Sequence, residues 1–216
     1  MKILIINPNS DVKTTEMLRK KSSRLCAPDV EADCTQLMTA PELISSYEDC
    51  ACTAAEMIEL VKKSENDYDG FIIACYSDPN TEVIKEITDK PVIGIAEAAM
   101  RFAAVASDNF AFVSTNSKSA ARKKALARKY YCSDELAEVI IPDTPARESL
   151  EKAVKDARDN GIGHVILGCA NYSLYDASIE SDTGSVIYDG LACAIGYIES
   201  MVRYNIYKKS VKGVSV

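Results

Sequence analysis

The chain has no tryptophan and a single histidine, His164, among its 216 residues. That scarcity excludes histidine-built zinc sites, and it excludes Ser-His and Cys-His couples that do not use His164. Positive charge is in deficit. Lysine and arginine number 25 against 32 aspartates and glutamates, a net charge of −7, which is the wrong sign for a protein that grips phosphate backbones by releasing their counterions. Long apolar runs are missing as well. Ile3–Ile6 gives way at once to Asn7-Pro8-Asn9, too short for a secretory h-region or a membrane span. We therefore expect a cytoplasmic protein with neither nucleic acid nor membrane as a partner. No G-x-G-x-x-G follows the first apolar run, no G-x-x-x-x-G-K-[ST] occurs, and no lysine sits in a pyridoxal-phosphate pattern, so nucleotide and pyridoxal cofactors are not expected.

Cysteine, by contrast, is abundant: Cys26, Cys34, Cys50, Cys52, Cys75, Cys132, Cys169 and Cys193. Without a secretory signal these read as reduced thiols rather than a disulfide framework. Cys50-Ala51-Cys52 with Cys26 and Cys34 lacks the C-x2–4-C spacing of zinc sites and has no histidine nearby, so no metal is expected there. With 47% apolar and 26% charged residues the chain has the composition of a globular protein with a sizeable core.

Short β-branched runs alternate with longer stretches of helical spacing, the pattern of βαβ units and parallel sheets. Strands are expected at Ile3–Ile6, Gly70–Ala74, Pro91–Ile95, Phe110–Ser114, Val139–Ile141, His164–Leu167 and Val186–Tyr188. A docked C-terminal helix over Asp189–Tyr204 follows from Leu191, Ile195, Ile198 and Val202 on one face, with a fraying tail from Lys208 to Val216. The chain also resembles itself. Ile5–Ser10 matches Phe112–Ser117, Gly70–Cys75 matches His164–Cys169, and Pro91–Ile95 matches Ser185–Asp189, the last two pairs at the same separation. These ordered matches predict a duplicated α/β unit. The expected fold is α/β with two pseudo-symmetric lobes, each a parallel-sheet unit, and an active site in the cleft between them. The first lobe would comprise residues 1–95 plus 189–216, the second residues 96–188.

In parallel sheets the loops beyond the carboxyl ends of strands carry the ligand site. Asn7–Ser10, Cys75–Asn80, Ser114–Ser117 and Cys169–Ser173 all fall there. A thiol beside a helix N-terminus is expected to have its thiolate favoured. Two such thiols, one from each half, suit the inversion of a carbon acid: one takes the proton from one face while the other supplies a proton to the opposite face. The planar intermediate needs hydrogen-bond donors, which turn N–H groups and Asn9, Ser114, Thr115 and Asn116 offer.

Ile6-Asn7-Pro8-Asn9-Ser10, Ala74-Cys75-Tyr76-Ser77-Asp78-Pro79, Pro91–Ala98, Leu167-Gly168-Cys169-Ala170 and Tyr188-Asp189-Gly190 together resemble the signature segments of the aspartate/glutamate/hydantoin racemase superfamily, above all its hydantoin and allantoin branch. The resemblance implies a cofactor-independent, metal-free isomerase acting on a small molecule, with Cys75 and Cys169 as alternating acid and base and with homo-oligomeric assembly. It implies a hydantoin, allantoin or similar cyclic ureide as substrate. An aspartate/glutamate-type racemase and a catalytically silent binding relative are the alternatives. Asn9, Ser10, Tyr76, Ser77, Ser114, Thr115, Asn116, Ala170 and Asn171 are the expected substrate contacts. The branch usually has glycine where this chain has Asn80 and Asn171, while the acidic amino-acid racemases read Cys-Asn-Thr and Gly-Cys-Thr at their cysteines, which this chain does not.

Several residues have plainer readings. Asp78 is expected to cap the helix that follows it, and Glu97 to sit in a first turn, where a negative charge is favourable. His164, at the far end of its strand from Cys169, reads as structural. The Arg122-Lys123-Lys124 and Arg128-Lys129 cluster reads as a solvated helix face.

Overall fold

The computed structural model describes residues 1–212. Its elements are β1 (Lys2–Asn7), α1 (Val12–Leu25), β2 (Glu31–Gln36), α2 (Tyr47–Cys52), α3 (Ala54–Ser64), β3 (Gly70–Ile73), α4 (Thr81–Ile87), β4 (Val92–Gly94), α5 (Ile95–Ala106), β5 (Phe110–Val113), α6 (Ser117–Lys129), β6 (Leu136–Ile140), α7 (Arg147–Asp159), β7 (His164–Leu167), a 3-10 turn (Ala170–Leu174), α8 (Asp176–Thr183), β8 (Val186–Tyr188) and α9 (Gly190–Lys212). No helix among the described residues is long and apolar enough to cross a membrane.

The strands form two four-stranded parallel sheets, ordered β2-β1-β3-β4 and β6-β5-β7-β8. The two orders are the same order. The self-matches equate β1 with β5, β3 with β7 and β4 with β8, and each pair holds the same place in its sheet. Strands buried on both faces read as unbroken apolar runs, which is why β1, β3, β5 and β7 were visible in the sequence. β2 was not expected. Its sequence, Glu-Ala-Asp-Cys-Thr-Gln, buries only Cys34 of six residues because it lies at a sheet edge. The short α8 was also missed, and α9 continues to Lys212 where a fraying tail was expected from Lys208; residues 213–216 lie outside the described residues.

The described chain divides into two compact units, one of residues 1–74, 79–94 and 194–212, the other of residues 75–78 and 95–193. In the first, Leu4, Ile6, Phe71, Ile73 and Val92 of the sheet pack with Met57, Val61 and Ile84 of the helices. In the second, Ala111, Val113, Val165, Leu167 and Ile187 pack with Leu150, Val154, Ala157 and Ile179. The second unit begins at Ile95, ends at Cys193 and takes in the turn Cys75–Asp78, which distinguishes it from the expected 96–188. The turn belongs there because its side chains are spent on that unit, as follows.

Candidate active site

Cys75–Asp78 leaves the carboxyl end of β3 as a tight turn closed by the Asp78 N–H donating to the Cys75 carbonyl at 2.9 Å. Asp78 adopts φ +44° and Asn80 φ +56°, backbone that aspartate and asparagine tolerate better than other non-glycine residues. Asp78 is buried, and the helix that follows it takes Asn80 as its N-cap residue. Its carboxylate accepts from the backbone N–H groups of Ala96 (3.0 Å) and Glu97 (2.7 Å), capping α5, and from the Tyr130 hydroxyl (2.7 Å). Burial pushes its carboxyl up to about 6 despite these donors. Glu97 is itself buried and ion-paired with Arg101 at 3.0 Å.

Tyr76 is packed rather than exposed. Its ring meets Phe112 edge-on with centroids 5.9 Å apart, and its hydroxyl accepts from the Gly190 N–H at 2.9 Å. A Cβ on Gly190 would lie 2.6 Å from the Ile95 carbonyl and 2.8 Å from that hydroxyl, so only glycine permits this junction. The Tyr188-Asp189-Gly190 segment thus has a packing reason, completed by Asp189 Oδ1 accepting from Leu191 and Ala192 N–H groups at the start of α9.

At the other cysteine, Gly168 allows β7 to close on β5. A Cβ there would be 2.0 Å from Phe112 Cε1 and 2.5 Å from the Val113 carbonyl. Cys169 follows at the carboxyl end of the strand, where the 3-10 turn sets the Asn171 N–H to favour its thiolate and the Tyr172 N–H donates to the Cys169 carbonyl at 2.9 Å. Ser77 plays the equivalent part at Cys75, through both its N–H and its hydroxyl. Both thiols are pushed up, not down as expected from their helix-end positions: burial outweighs the N–H donors at each.

One group opposes burial at both thiols. Lys123, on α6, is only 2% exposed. Its ammonium donates to the Tyr76 carbonyl and lies 5.4 Å from the centre of the Phe112 ring, and its charge draws both Cys75 and Cys169 toward the thiolate. Burial pushes Lys123 itself down to about 8, against the pull of Cys75, Asp78 and Cys169. The basic cluster is therefore not wholly a solvated face: Arg122 and Lys123 are buried, while Lys124, Arg128 and Lys129 are exposed. A helical-wheel reading could have found this, since Lys123 shares a stripe with Ser119, Leu126 and Ala127.

Of the remaining expected contacts, Ser114 is fully buried at the end of β5, and its hydroxyl has no hydrogen-bond partner among the described residues. Strand alternation sets Ser114 on the face of Phe112, opposite Ala111 and Val113. Asn116 caps α6 by accepting from the Ser119 N–H at 2.9 Å, and its amide donates to Thr115 Oγ1 at 3.3 Å. Thr115, Cys169 and Asn171 line one cavity of about 390 Å³ with Tyr172, Leu174 and the Pro142–Pro145 loop, a size that holds small ligands. Ala170 opens the 3-10 turn beside it. Cys75, Tyr76, Ser77, Ser114, Thr115, Asn116, Cys169, Ala170 and Asn171 thus belong to one unit; Asn9 and Ser10 belong to the other. There the Asn9 side chain is occupied by the turn, accepting from Asn7 Nδ2 (2.7 Å) and the Asp11 N–H (2.9 Å), and the Ser10 N–H donates to the Pro41 carbonyl at 3.2 Å.

Asn80 supplies the left-handed residue at the start of α4 and donates to the Cys50 carbonyl (2.8 Å) and Thr53 Oγ1 (2.9 Å). Its side chain ties α4 to the α2–α3 junction. Asn171 is exposed at the cavity. His164 is structural, its Nδ1 2.8 Å from the Tyr188 hydroxyl and its ring stacked on that tyrosine.

The chain is 29% identical over 94% of its length to a hydantoin racemase of Paenarthrobacter aurescens, 91% of which is covered. A solved allantoin racemase from Klebsiella pneumoniae superposes with a TM-score of 0.90 at 26% identity, over 95% of this chain and 89% of that one. A glutamate racemase from Francisella tularensis shares the fold at a TM-score of 0.67 and 16% identity, over 94% and 81% of the two chains. The family model for Asp/Glu/Hydantoin racemase matches residues 3–198. With the duplicated sheets, and with a cysteine ending the third strand of each, these matches place the chain in the Asp/Glu/hydantoin racemase family, as a racemase standing with the family's hydantoin and allantoin members.

Proposed function

We propose that the protein racemises a hydantoin, allantoin or similar cyclic ureide at the carbon next to a carbonyl, without a cofactor, using Cys75 and Cys169 as alternating base and acid. One thiolate removes the proton from that carbon, the enolate is held by hydrogen-bond donors, and the other thiol returns a proton to the opposite face. Oxidation state and composition are unchanged and only configuration differs. The observation that carries the reading is the equivalence of the two thiols: each follows the third strand of a duplicated sheet, and each is drawn toward its ionised form by the same lysine. Ser114, Thr115, Ala170 and Asn171, with the N–H of Ser77, are the proposed substrate contacts. We propose further that the protein is cytoplasmic and works as a homo-oligomer.

A buried ammonium that could hold a second carboxylate is present in Lys123, and it is the one observation favouring an aspartate- or glutamate-type substrate. The names of the relatives at 29% and 26% identity favour the ureide. Proton NMR in deuterium oxide separates the readings. Loss of the α-proton signal is followed for a panel of 5-substituted hydantoins, allantoin, aspartate and glutamate. We expect exchange on the ureides, with inversion lost in Cys75→Ser and in Cys169→Ser. Exchange on the free amino acids alone would select the alternative substrate class, none on any compound would favour a silent binding relative, and exchange untouched by both substitutions would remove the cysteines from the mechanism.

A further inference from the structure

We infer that Lys123 is the shared counter-cation of the two thiols, a positioning residue that lets the site hold one thiolate and one thiol at a time. The inference rests on the two-cysteine reading and deepens it. Lysine is almost never fully buried unless paired, yet Lys123 forms no ion pair with a carboxylate among the described residues. Its nearest acid, Asp78, is committed to the α5 N–H groups and to Tyr130. What the ammonium does have is a backbone carbonyl, that of Tyr76, the residue next to Cys75, and the face of Phe112, whose edge-on neighbour is Tyr76 and whose strand closes on Gly168, the residue before Cys169. The lysine is therefore fastened between the supports of the two cysteines and not to an acid.

The groups that face it are Cys75 and Asp78 from the turn after β3, Cys169 from the turn after β7, and Arg122 from its own helix. An ammonium in this setting needs an anion nearby; Asp78 supplies part of that charge, and the two sulfurs are the facing groups that gain and lose a charge during turnover. One positive charge balances one negative charge. When a proton passes from the substrate carbon to one sulfur and from the other sulfur to the opposite face of the carbon, the negative charge moves from one sulfur to the other, and both feel the same cation. The lysine transfers no proton and makes no bond. It favours the charged state of the pair in both directions of the reaction. The turn donors, Ser77 at one thiol and the Asn171 N–H at the other, are private to each sulfur, whereas Lys123 is common to both.

The test reads the thiols directly. The rate of iodoacetamide alkylation at Cys75 and at Cys169 is measured separately by peptide mass spectrometry as a function of pH, without substrate, in wild type, Lys123→Met, Lys123→Gln and Lys123→Arg, with folding checked by circular dichroism. The neutral variants are expected to move both alkylation profiles to higher pH by about one unit, roughly a tenfold loss of thiolate at neutral pH, and the arginine variant to restore both in part. In turnover, kcat should fall and its pH optimum should move upward in the neutral variants, with KM little changed. Unchanged profiles at both cysteines in a folded neutral variant overturn the inference, and so does a shift confined to one cysteine. If both neutral variants unfold, the double variant Cys75→Ser/Cys169→Ser provides the reciprocal reading: the Lys123 13Cε resonance should titrate at lower pH than in wild type, and an unmoved titration overturns the inference. Because no substrate is present in these titrations, a wild type that exchanges no α-proton would count against the racemase reading alone, while the thiol profiles still decide the role of the lysine.

Discussion

Gly168 shows how closely the backbone must approach beside a proposed catalytic residue, Cys169. Alanine there places a methyl group against a ring carbon and a carbonyl oxygen that belong to the packed centre of the sheet. Overpacking of this kind costs about 1–3 kcal/mol, so Gly168→Ala should lower the urea midpoint correspondingly and displace Cys169. Asn80 is the contrasting case. It sits where glycine would also fit, at φ +56°, and it adds two hydrogen bonds to the α2–α3 junction. Asn80→Ala should lose about 1–2 kcal/mol in denaturant unfolding, since it forfeits both the bonds and the tolerance for the left-handed backbone. Asn80→Gly should retain the backbone and leave α-proton exchange intact, because the Asn80 amide is bonded to Cys50 and Thr53 and to neither proposed catalytic cysteine.

At the scale of elements, Asp78 connects the turn that carries Cys75 to the first turn of α5. Removing the carboxylate in Asp78→Ala takes the acceptor away from the Ala96 and Glu97 N–H groups, and we expect a loss of about 1–3 kcal/mol. The pH dependence has a definite sign. Burial holds the folded carboxyl at about 6, above its unfolded value near 4, so in that window the folded state binds more protons than the unfolded. The contribution of Asp78 to stability therefore rises as pH falls from about 6 toward about 4, and above 6 the cost of keeping it ionised is borne in full. Thermal melts of wild type against Asp78→Asn should show this slope in the wild type, and their difference should flatten above about pH 7 and below about pH 4. The strands were legible at this scale wherever they were buried on both faces. β2 was not, because an edge strand exposes most of its side chains and its composition then reads as polar loop. The partner of Asp78 was also illegible, since the helix it caps begins 17 residues later in the chain, at Ile95, rather than in the next turn.

For the whole molecule, the last helix continues to Lys212 and leaves Tyr204, Ile206, Tyr207 and Val211 exposed. Apolar side chains grouped in this way favour self-association, and light scattering on the purified protein should give a mass that is a multiple of 23.5 kDa. A monomer mass at micromolar concentration would refute the oligomer. The repeated strand order explains why the self-comparison worked. Two copies of one βαβ plan keep their apolar strands and their strand-end turns in the same sequence, so the matched cysteines occupy matched places in their sheets.

The sequence by itself determined the fold class, the duplication and the two strand-end thiols, because all three are local patterns: runs of apolar residues, turns that stop them, and a cysteine at a fixed place in each copy. It also carried the family, through segments in which Gly168 and Gly190 stand where no Cβ fits. Only the tertiary structure decided which charges lie inside. Arg122-Lys123-Lys124 is a solvated run by composition; the helical stripe it shares with Leu126 and Ala127 turns the middle lysine inward, but only the fold shows that it is shut in against Phe112 and the Tyr76 carbonyl. The direction of the thiol shifts was likewise out of reach, because a helix end favours the thiolate while burial opposes it, and the balance depends on how much of the fold closes over each sulfur.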